Sequence, residues 1–387
     1  MKIKGYVREN GSFGIRNHIL VIPASVCASE TASRIAARIE GAVAIPHQHG
    51  CCQVGSDLVQ TIRTLIGFGR NPNVGGVLVV GLGCEGIQAN IISDGIRDTG
   101  KPLETIIIQD EGGTPNTIEK GVKLLLEIAE KAKKAAVSEF DISELILGLE
   151  CGGSDPTSGI TANPVIGAAS DLLIGHGGSC ILSETTEVIG AEHLLEKRFH
   201  DEKARKRFLE MVDDVEKKAI AMGSDLRGTQ PTPGNIAGGL TTIEEKSLGC
   251  MFKAGDSDFE GVLEYGELLP SSKKGLYFMD TPGEDIDSIT GMIAGGAQII
   301  VFSTGRGTPT GSPIAPVIKL TGNPETYDRM KVNIDLNAGS VISEGKTIRE
   351  VGRELFDMIV EVSNGKLVKA EELGHREFGI YRIGATF

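Results

Sequence analysis

The first third of the chain alternates between short apolar runs and longer segments whose apolar residues have helical spacing. The run at residues 74–83, VGGVLVVGLG, is rich in β-branched residues and is typical of a strand buried on both faces. The predicted strands are residues 18–23, 42–46, 74–83 and 104–109, and the predicted helices are residues 28–40, 56–69, 87–98 and 117–136. This alternation predicts a mostly parallel sheet covered by helices.

The pattern changes near residue 138, which divides the chain into a first domain, residues 1–138, and a second domain, residues 139–387. In the second domain the predicted strands are residues 143–155, 179–184, 276–280 and 298–307, and the predicted helices are residues 164–178, 200–223, 288–296 and 346–365. Residues 224–275 have weak periodicity and many Gly, Pro and Thr residues. We therefore expect a second, glycine-rich α/β domain.

Composition narrows the class of protein. Glycine accounts for 52 of the 387 residues, about twice the usual share of about 7%, and no collagen-like period accompanies it. The net charge of −13 disfavours nucleic acid and anionic membranes as partners. The N-terminus lacks the apolar core of a signal peptide, and no apolar run approaches about 20 residues. We expect a cytoplasmic protein whose seven cysteines are thiols or metal ligands.

One motif offers a dinucleotide interpretation. Residues 81–86, GLGCEG, match G-x-G-x-x-G after a predicted strand, and Asp110 lies near the spacing of a ribose-binding acid. Glu85, however, stands where a pyrophosphate would need positive potential. Dinucleotide binding therefore stays a minor alternative.

Thiol, imidazole and carboxylate groups recur at the ends of predicted strands. They are His47, His49, Cys51 and Cys52 after the second strand, Cys84 and Glu85 after the third, and Cys151, Ser154 and Asp155 at the glycine turn of the strand at 143–155. The carboxyl ends of parallel strands share one edge of a sheet, where ligands bind. Such a set could hold a divalent transition metal.

A second group of polar residues lies in glycine-rich segments of the second domain. It comprises Ser154, Asp155, Asn163, Glu184, Glu187, His193, Asn235, Glu245, Lys246, Cys250, Lys253, Arg306 and Thr308. Hydroxyl and amide groups suit a polyol, and the guanidinium of Arg306 suits a carboxylate. Glu245 also completes a Thr242-x-x-Glu245 capping box, so helix capping remains an alternative to a functional role.

Several long motifs resemble those of the altronate/galactarate dehydratase family. They are GYVRENGSFGIRNH, HQHGCCQ, GLGCEG, ECGGSDPTSGITANP, SETTEVIGAEHLL, PGNIAGGLTTIEEKSLGC, MDTPGED and STGRGTPTG, in the same order over residues 4–340. The resemblance implies an α/β fold with a Rossmann-like part and a hydro-lyase that dehydrates a sugar acid to a 2-keto-3-deoxy acid. It also implies a divalent metal, typically iron(II), and a stand-alone large subunit whose SAF domain is a separate small subunit. We also expect a homo-oligomer.

The resemblance, combined with the chemistry of each residue type, gives candidate roles. His49, Cys51, Cys84 and Cys151 are the candidate metal ligands, whereas Cys52 stands where relatives commonly have glycine. Lys246 or Glu245 is the candidate base, and His193 or His49 the candidate acid. Arg306, Ser154, Asp155, Asn163, Thr308 and Asn235 are the candidate substrate-binding residues. Two alternatives stay open, the large subunit of a sulfolactate sulfo-lyase and a non-catalytic metal- or dinucleotide-binding subunit.

Overall fold

The protein folds into two α/β domains, each built around a parallel sheet. This computed structural model describes the backbone of residues 1–387 and every side chain except that of Thr229. A four-stranded sheet forms the centre of the first domain, and a seven-stranded sheet forms the centre of the second. The predicted α/β class is confirmed.

The elements of the first domain follow the predicted alternation closely. In chain order they are β1 (Lys2–Val7), β2 (Phe13–Gly14), β3 (His18–Pro23), α1 (Val26–Ala36), β4 (Ala42–Ala44), α2 (Gly55–Arg70), β5 (Val74–Gly81), α3 (Ala89–Arg97), β6 (Leu103–Ile107) and α4 (Thr114–Ala132). The sheet has the order β4-β3-β5-β6, with every pair parallel. Each residue of β5 is buried, as its apolar run predicts.

The second domain contains more elements than its hydrophobic pattern predicts. They are β7 (Val137–Asp141), β8 (Ile146–Gly152), α5 (Asn163–Gly175), β9 (Ser179–Leu182), α6 (Glu192–Leu195), α7 (Glu202–Ala221), α8 (Leu226–Thr229), α9 (Pro233–Ala237), α10 (Ile243–Cys250), β10 (Phe259–Leu263), β11 (Leu276–Met279), α11 (Asp285–Ala294), β12 (Ile299–Thr304), β13 (Val317–Thr321), α12 (Pro324–Arg329), β14 (Leu336–Asn337), α13 (Ser340–Ser343), α14 (Ile348–Ser363) and α15 (Lys369–Glu372). The sheet order is β10-β11-β9-β8-β12-β13-β14, all parallel.

A third, small sheet lies at the junction of the domains. Its order is β2-β1-β7, and β1 pairs antiparallel with β7 from Lys2↔Asp141 to Tyr6↔Val137. The boundary predicted at residue 138 falls inside β7. The first strand of the chain therefore pairs with the segment that leads into the second domain.

The two domains share one apolar core, in which α2 packs against α11. Asn71, at the end of α2, donates hydrogen bonds from Nδ2 to the carbonyl oxygens of Ile293 and Ala297, both at 2.9 Å. No helix among the described residues is long and apolar enough to cross a membrane.

The contact between α2 and α11 depends on a glycine. A Cβ atom at Gly67 would overlap the backbone of Ala294, which has no flexible end that could move aside. We expect Gly67→Ala to lower the free energy of unfolding by about 1–3 kcal/mol through overpacking. Urea unfolding measures the change, and Gly175→Ala serves as a control for the added methyl group, since no atom lies within 4 Å of a Cβ at this last residue of α5 and its φ is not positive. An unchanged stability of Gly67→Ala would show that the helices can separate freely.

Candidate active site

Polar residues gather where three neighbouring strands of the seven-stranded sheet end. Cys151 is the next-to-last residue of β8, Glu184 and Glu187 follow β9, and Asp285 begins α11 after β11. In the sheet these strands lie side by side in the order β11-β9-β8. The edge at the carboxyl ends of parallel strands is where such folds bind ligands.

A buried ion network occupies this edge. Lys253 Nζ lies 2.9 Å from Cys151 Sγ, 2.9 Å from Glu184 Oε2 and 2.8 Å from Glu187 Oε2. Lys246 Nζ lies 3.0 Å from Glu187 Oε1. The side chains of Glu184, Glu187 and Lys253 are at most 2% exposed. Charges this deeply buried are tolerated because they are paired.

Two thiols from distant parts of the chain meet in the same network. Cys151 Sγ lies 3.4 Å from Cys250 Sγ, and it donates a hydrogen bond of 2.9 Å to Glu187 Oε2. Cys250 ends α10, and the helix approaches the π-helical turn 158–162 because Gly159 and Gly249 face each other without side chains. The EKSLGC motif thus places a lysine and a thiol over the end of β8.

Glu184 has an unusual backbone conformation. Its φ of 69° lies in the left-handed region, which a residue with a Cβ rarely adopts. The conformation is held by two hydrogen bonds: the Glu184 N–H donates to Thr281 Oγ1 at 2.7 Å, and the Cys151 N–H donates to Glu184 Oε2 at 3.1 Å. Backbone strain of this kind is typical of functional sites.

The carboxyl groups at this edge differ in their affinity for protons. Burial, followed by repulsion from Glu187, raises the pKa of Glu184 to about 8. Burial and the charge of Glu187 likewise raise the pKa of Asp285 to about 7, and burial and Glu184 raise the pKa of Glu150 well above its usual value. For Glu187, burial is outweighed by Lys253 and Lys246, which lower its pKa. Glu187 is therefore ionised, while its neighbours retain protons near neutral pH.

Both lysines of the network carry a proton. Burial disfavours the charge of Lys246, but attraction to Glu187 outweighs it and raises its pKa. Burial acts on Lys253 in the same sense, and its neighbours, Cys151 and Glu184 foremost, raise its pKa well above the usual value. Lys246 is thus an ammonium group and not a ready base.

A pocket of about 260 Å3 opens beside the network. Its polar lining consists of Ser154, Asp155, Ser158, Asn163, Glu245, Lys246 and Cys250, and its apolar lining includes Ile160, Leu240, Leu248 and Phe252. Lys246 and Cys250 belong to both the pocket and the network. Ser154 Oγ is buried and makes no hydrogen bond within the described part of the chain.

The candidate acid–base residues separate into two groups. Lys246 and Glu245 line the pocket. Glu245 Oε2 accepts hydrogen bonds from the N–H (2.8 Å) and Oγ1 (2.5 Å) of Thr241, and these bonds lower its pKa. His193 is exposed on α6, and His49 lies in the first domain, where its Nε2 donates to the carbonyl oxygen of Ile380 at 3.0 Å. The structure does not bring these histidines to the pocket.

The candidate substrate-binding residues also divide. Ser154, Asp155 and Asn163 line the pocket, but Asp155 accepts hydrogen bonds from Thr157, Ser158 and Asn323, and thereby organises its own loop. The other three make different contacts. Arg306 Nη1 donates a hydrogen bond to the carbonyl oxygen of Gly234, and the hydroxyl of Thr308 forms a hydrogen bond with that of Thr310. Asn235 is buried in α9. They lie outside the described lining of this pocket.

The four candidate metal ligands do not form one cluster. Cys151 is buried in the second domain, whereas Cys51 and Cys84 are exposed in the loops after β4 and β5 of the first domain. Among the described side chains, Cys151 belongs to a group of three potential metal ligands whose ligand atoms lie within 4.8 Å of one another. Among the same side chains, His49, Cys51 and Cys84 belong to no such group. The four residues follow or end strands of two different sheets, so a shared sheet edge does not bring them together.

Two other groups of donors are close enough to share an ion. They are Cys151, Glu187 and Cys250 in one group, and Glu150, Glu184 and Asp285 in the other. In the first group the ammonium of Lys253 contacts two of the three donors, Cys151 and Glu187, whereas in the second group it contacts only Glu184. In the second group each carboxyl has a raised pKa, and Glu150 Oε1 accepts no hydrogen bond from the described residues. The carboxylate group fits a divalent cation better.

In the GLGCEG loop, the side chain of Glu85 folds back onto the backbone of the loop. The N–H of Gly83 donates to Glu85 Oε2 at 2.5 Å, and Glu85 is 7% exposed. A backbone donor that a pyrophosphate would use is thus already occupied by a carboxylate. The geometry argues against a dinucleotide at this loop.

Stability should depend on pH through the carboxyl groups with raised pKa. Between about pH 4 and pH 8, Glu184 and Asp285 keep protons in the folded state that they release when unfolded, so unfolding releases protons and stability falls as pH rises. We expect Asp285→Asn to make this fall shallower. Thermal unfolding in metal-free buffers across the range measures both slopes. Parallel curves for the two proteins would contradict the raised pKa of Asp285.

Comparison with known families identifies the family of the chain. The D-galactarate dehydratase/altronate hydrolase second domain matches residues 5–133, and the D-galactarate/altronate dehydratase C-terminal domain matches residues 142–386. The chain belongs to the D-galactarate/altronate dehydratase family. The predicted family is confirmed, and so is the predicted enzyme class of carbon–oxygen lyases.

Three relatives align with 80% or more of the chain. It is 38% identical to the altronate dehydratase of Bacillus subtilis (strain 168), over 99% of this chain and 78% of that protein. It is 41% identical to the (2R)-sulfolactate sulfo-lyase subunit beta of Chromohalobacter salexigens, over 98% and 97%. It is 39% identical to the galactarate dehydratase (L-threo-forming) of Escherichia coli (strain K12), over 80% and 60%.

Sequence reasoning assigned no specific role to Glu184, Glu187, Cys250 or Lys253, which form the network with Cys151 and Lys246. A signal for part of it is present, because Lys246, Cys250 and Lys253 are spaced by four and three residues. That spacing places them on one face of a helix. Because this helix face consists of two lysines and a cysteine, it is not apolar, and a search for hydrophobic periodicity does not find it.

Proposed function

We propose that this enzyme removes water from a sugar acid and forms a 2-keto-3-deoxy acid, with the pocket beside Lys246 as its substrate site. The observation that carries the proposal is a charged ammonium group at the wall of a pocket that also contains an unpaired buried hydroxyl, Ser154 Oγ. Together with membership of the dehydratase family, this arrangement suits an anionic, hydroxylated substrate.

Each group at the pocket then has a chemical task. Dehydration removes the proton α to the carboxylate and expels the β-hydroxyl as water, after which the enol becomes the ketone. Glu245 is the proposed base, because Thr241 binds its Oε2 and leaves Oε1 without a hydrogen bond among the described residues. Lys246 is the proposed acid that protonates the departing hydroxyl, and Ser154 binds a substrate hydroxyl.

The lowered pKa of Glu245 makes it a weak base. Proton removal therefore requires strong stabilisation of the enediolate that forms at the carboxylate. A divalent cation would supply Lewis-acid stabilisation of negative charge, and Glu150, Glu184 and Asp285 are the residues that would hold it. Iron(II) is the proposed ion, on the resemblance stated above. Arg306, Asp155, Asn163, Thr308 and Asn235 remain proposed contributors to substrate binding from the surrounding loops.

A second candidate function is supported by the relative with 41% identity, a sulfolactate sulfo-lyase subunit. Loss of sulfite from sulfolactate is also an elimination β to a carboxylate, so the same base and ammonium group would serve. That relative is named as a subunit, which supports the proposal that this chain works with a separate small subunit of the SAF type.

The deciding experiment is an anaerobic assay of the purified chain loaded with iron(II). Altronate, galactarate and sulfolactate are supplied separately, with and without the small subunit, and the 2-keto acid and sulfite are measured. A 2-keto-3-deoxy acid from a sugar acid supports the first function, and sulfite from sulfolactate supports the second. If no acid reacts in the presence of iron and the small subunit, both proposals are wrong.

A further inference from the structure

Lys253 is a buried ammonium that cannot reach the substrate pocket. It lies in the 3-10 turn Met251–Ala254 after α10, and its side chain is 1% exposed. Its neighbours Cys250 and Phe252 line the pocket, whereas Lys253 does not. The three protons of its ammonium match its three acceptors, Cys151 Sγ, Glu184 Oε2 and Glu187 Oε2. Lys253 therefore has no donor left for a bound acid.

Contacts connect Lys253 to the pocket through one carboxylate. Glu187 Oε2 binds Lys253 and the thiol of Cys151, while Glu187 Oε1 binds Lys246 Nζ. Lys246 and Lys253 are seven residues apart, about two helical turns, and so face the same side. Glu187 thus forms ion pairs with two ammonium groups, and of these two lysines only Lys246 lines the pocket.

We propose that Lys253 is a positioning residue for the elimination reaction, because it anchors Glu187 and Glu184 and thereby fixes the ammonium of Lys246 at the pocket wall. This inference rests on the proposed function, in which Lys246 acts on the substrate. Without Lys253, the carboxylate of Glu187 is free to rotate and draws Lys246 towards the interior. Both the affinity for an anionic substrate and the rate of protonation then decrease.

The test compares Lys253→Met, Lys253→Arg and a matched control. Lys101→Met is the control, since Lys101 is another buried lysine, but its ammonium binds the backbone carbonyls of Gly69, Arg70 and Asn71 in the first domain. We expect Lys253→Met to lower kcat about 100-fold and to raise KM about 10-fold. Lys253→Arg should recover part of kcat, because a guanidinium can still bridge two carboxylates. Lys101→Met should lose thermal stability and keep kcat and KM.

A binding measurement makes the test independent of turnover. Lactate has the α-hydroxy acid group but no leaving group on its β-carbon, so it can bind without reacting. Isothermal titration calorimetry should show about 10-fold weaker lactate binding for Lys253→Met than for the wild-type protein, and unchanged binding for Lys101→Met. If the wild-type protein turns over no acid, the proposed function is wrong, while the lactate titration still decides the role of Lys253.

Three results would overturn the proposal. The first is that Lys253→Met has the same kcat, KM and lactate affinity as the wild-type protein. The second is that Lys101→Met changes these three quantities as much as Lys253→Met does. The third is that the wild-type protein does not bind lactate. Should Lys253→Met fail to fold, Lys253→Gln carries the same expectation, because its amide can still donate a hydrogen bond to the acceptors of Lys253 but has no charge with which to anchor Glu187.

Discussion

Replacing Lys246 by methionine is expected to lower kcat/KM about a thousandfold. The side chain lines the pocket and its ammonium is the acid of the proposed elimination, so the change removes a charge that acts on the transition state. Methionine has a similar length and is apolar, so it fills a similar space at this position of α10. Steady-state kinetics under anaerobic, iron-loaded conditions measure the loss.

The fold should survive the Lys246 substitution, because Glu187 still contacts Lys253. Lys274→Met is a suitable control: Lys274 forms an ion pair with Glu144 at a partly exposed position and does not line the pocket. Its kcat/KM should equal that of the wild-type protein. Normal turnover in Lys246→Met would place the reaction elsewhere in the molecule.

The second large effect concerns stability. Glu187→Gln keeps the shape of the side chain but removes the ionised carboxylate that contacts Lys246 and Lys253. Breaking a buried ion pair from one side leaves an uncompensated charge, which costs about 3–5 kcal/mol. We expect a loss of this size in the free energy of unfolding, measured by urea denaturation at neutral pH.

The control for Glu187→Gln is Glu119→Gln, the same change of side chain at an exposed position. Glu119 pairs with Lys123 one helical turn away, and both side chains are largely exposed. Surface pairs of this kind contribute little, so Glu119→Gln should leave the unfolding midpoint unchanged. If both substitutions had small effects, Glu187 would not be the ionised centre of a buried network.

Much of the fold could be predicted because its helices and strands have one-sided or continuous apolar patterns. The runs at residues 18–23 and 74–83 became β3 and β5, and the apolar spacing of residues 56–69 became α2. Four longer strands, β1, β7, β10 and β13, were missed. β1 alternates charged and apolar residues and is formed by pairing with β7, more than 130 residues away, while β10 and β13 lie in segments rich in Gly, Pro and Lys.

The candidate site was predicted in part. Lys246, Glu245, Ser154, Asp155 and Asn163 lie around one pocket, as expected for a common site. The structure does not group Cys151 with Cys51 and Cys84; Cys151 instead contacts Cys250, a partner 99 residues along the chain. Cysteines that follow strands share an edge only if their strands share a sheet.

The sequence by itself determined the α/β class, the parallel strands and the family, because apolar periodicity and long motifs are local properties of the chain. Only the tertiary structure decided which charged groups meet, since strand order in the second sheet does not follow chain order and places β9 between β11 and β8. That order buries Glu184 and Glu187 against Lys246 and Lys253. Burial raises the pKa of the carboxyl groups there, and attraction to the two lysines outweighs burial at Glu187 and keeps it ionised.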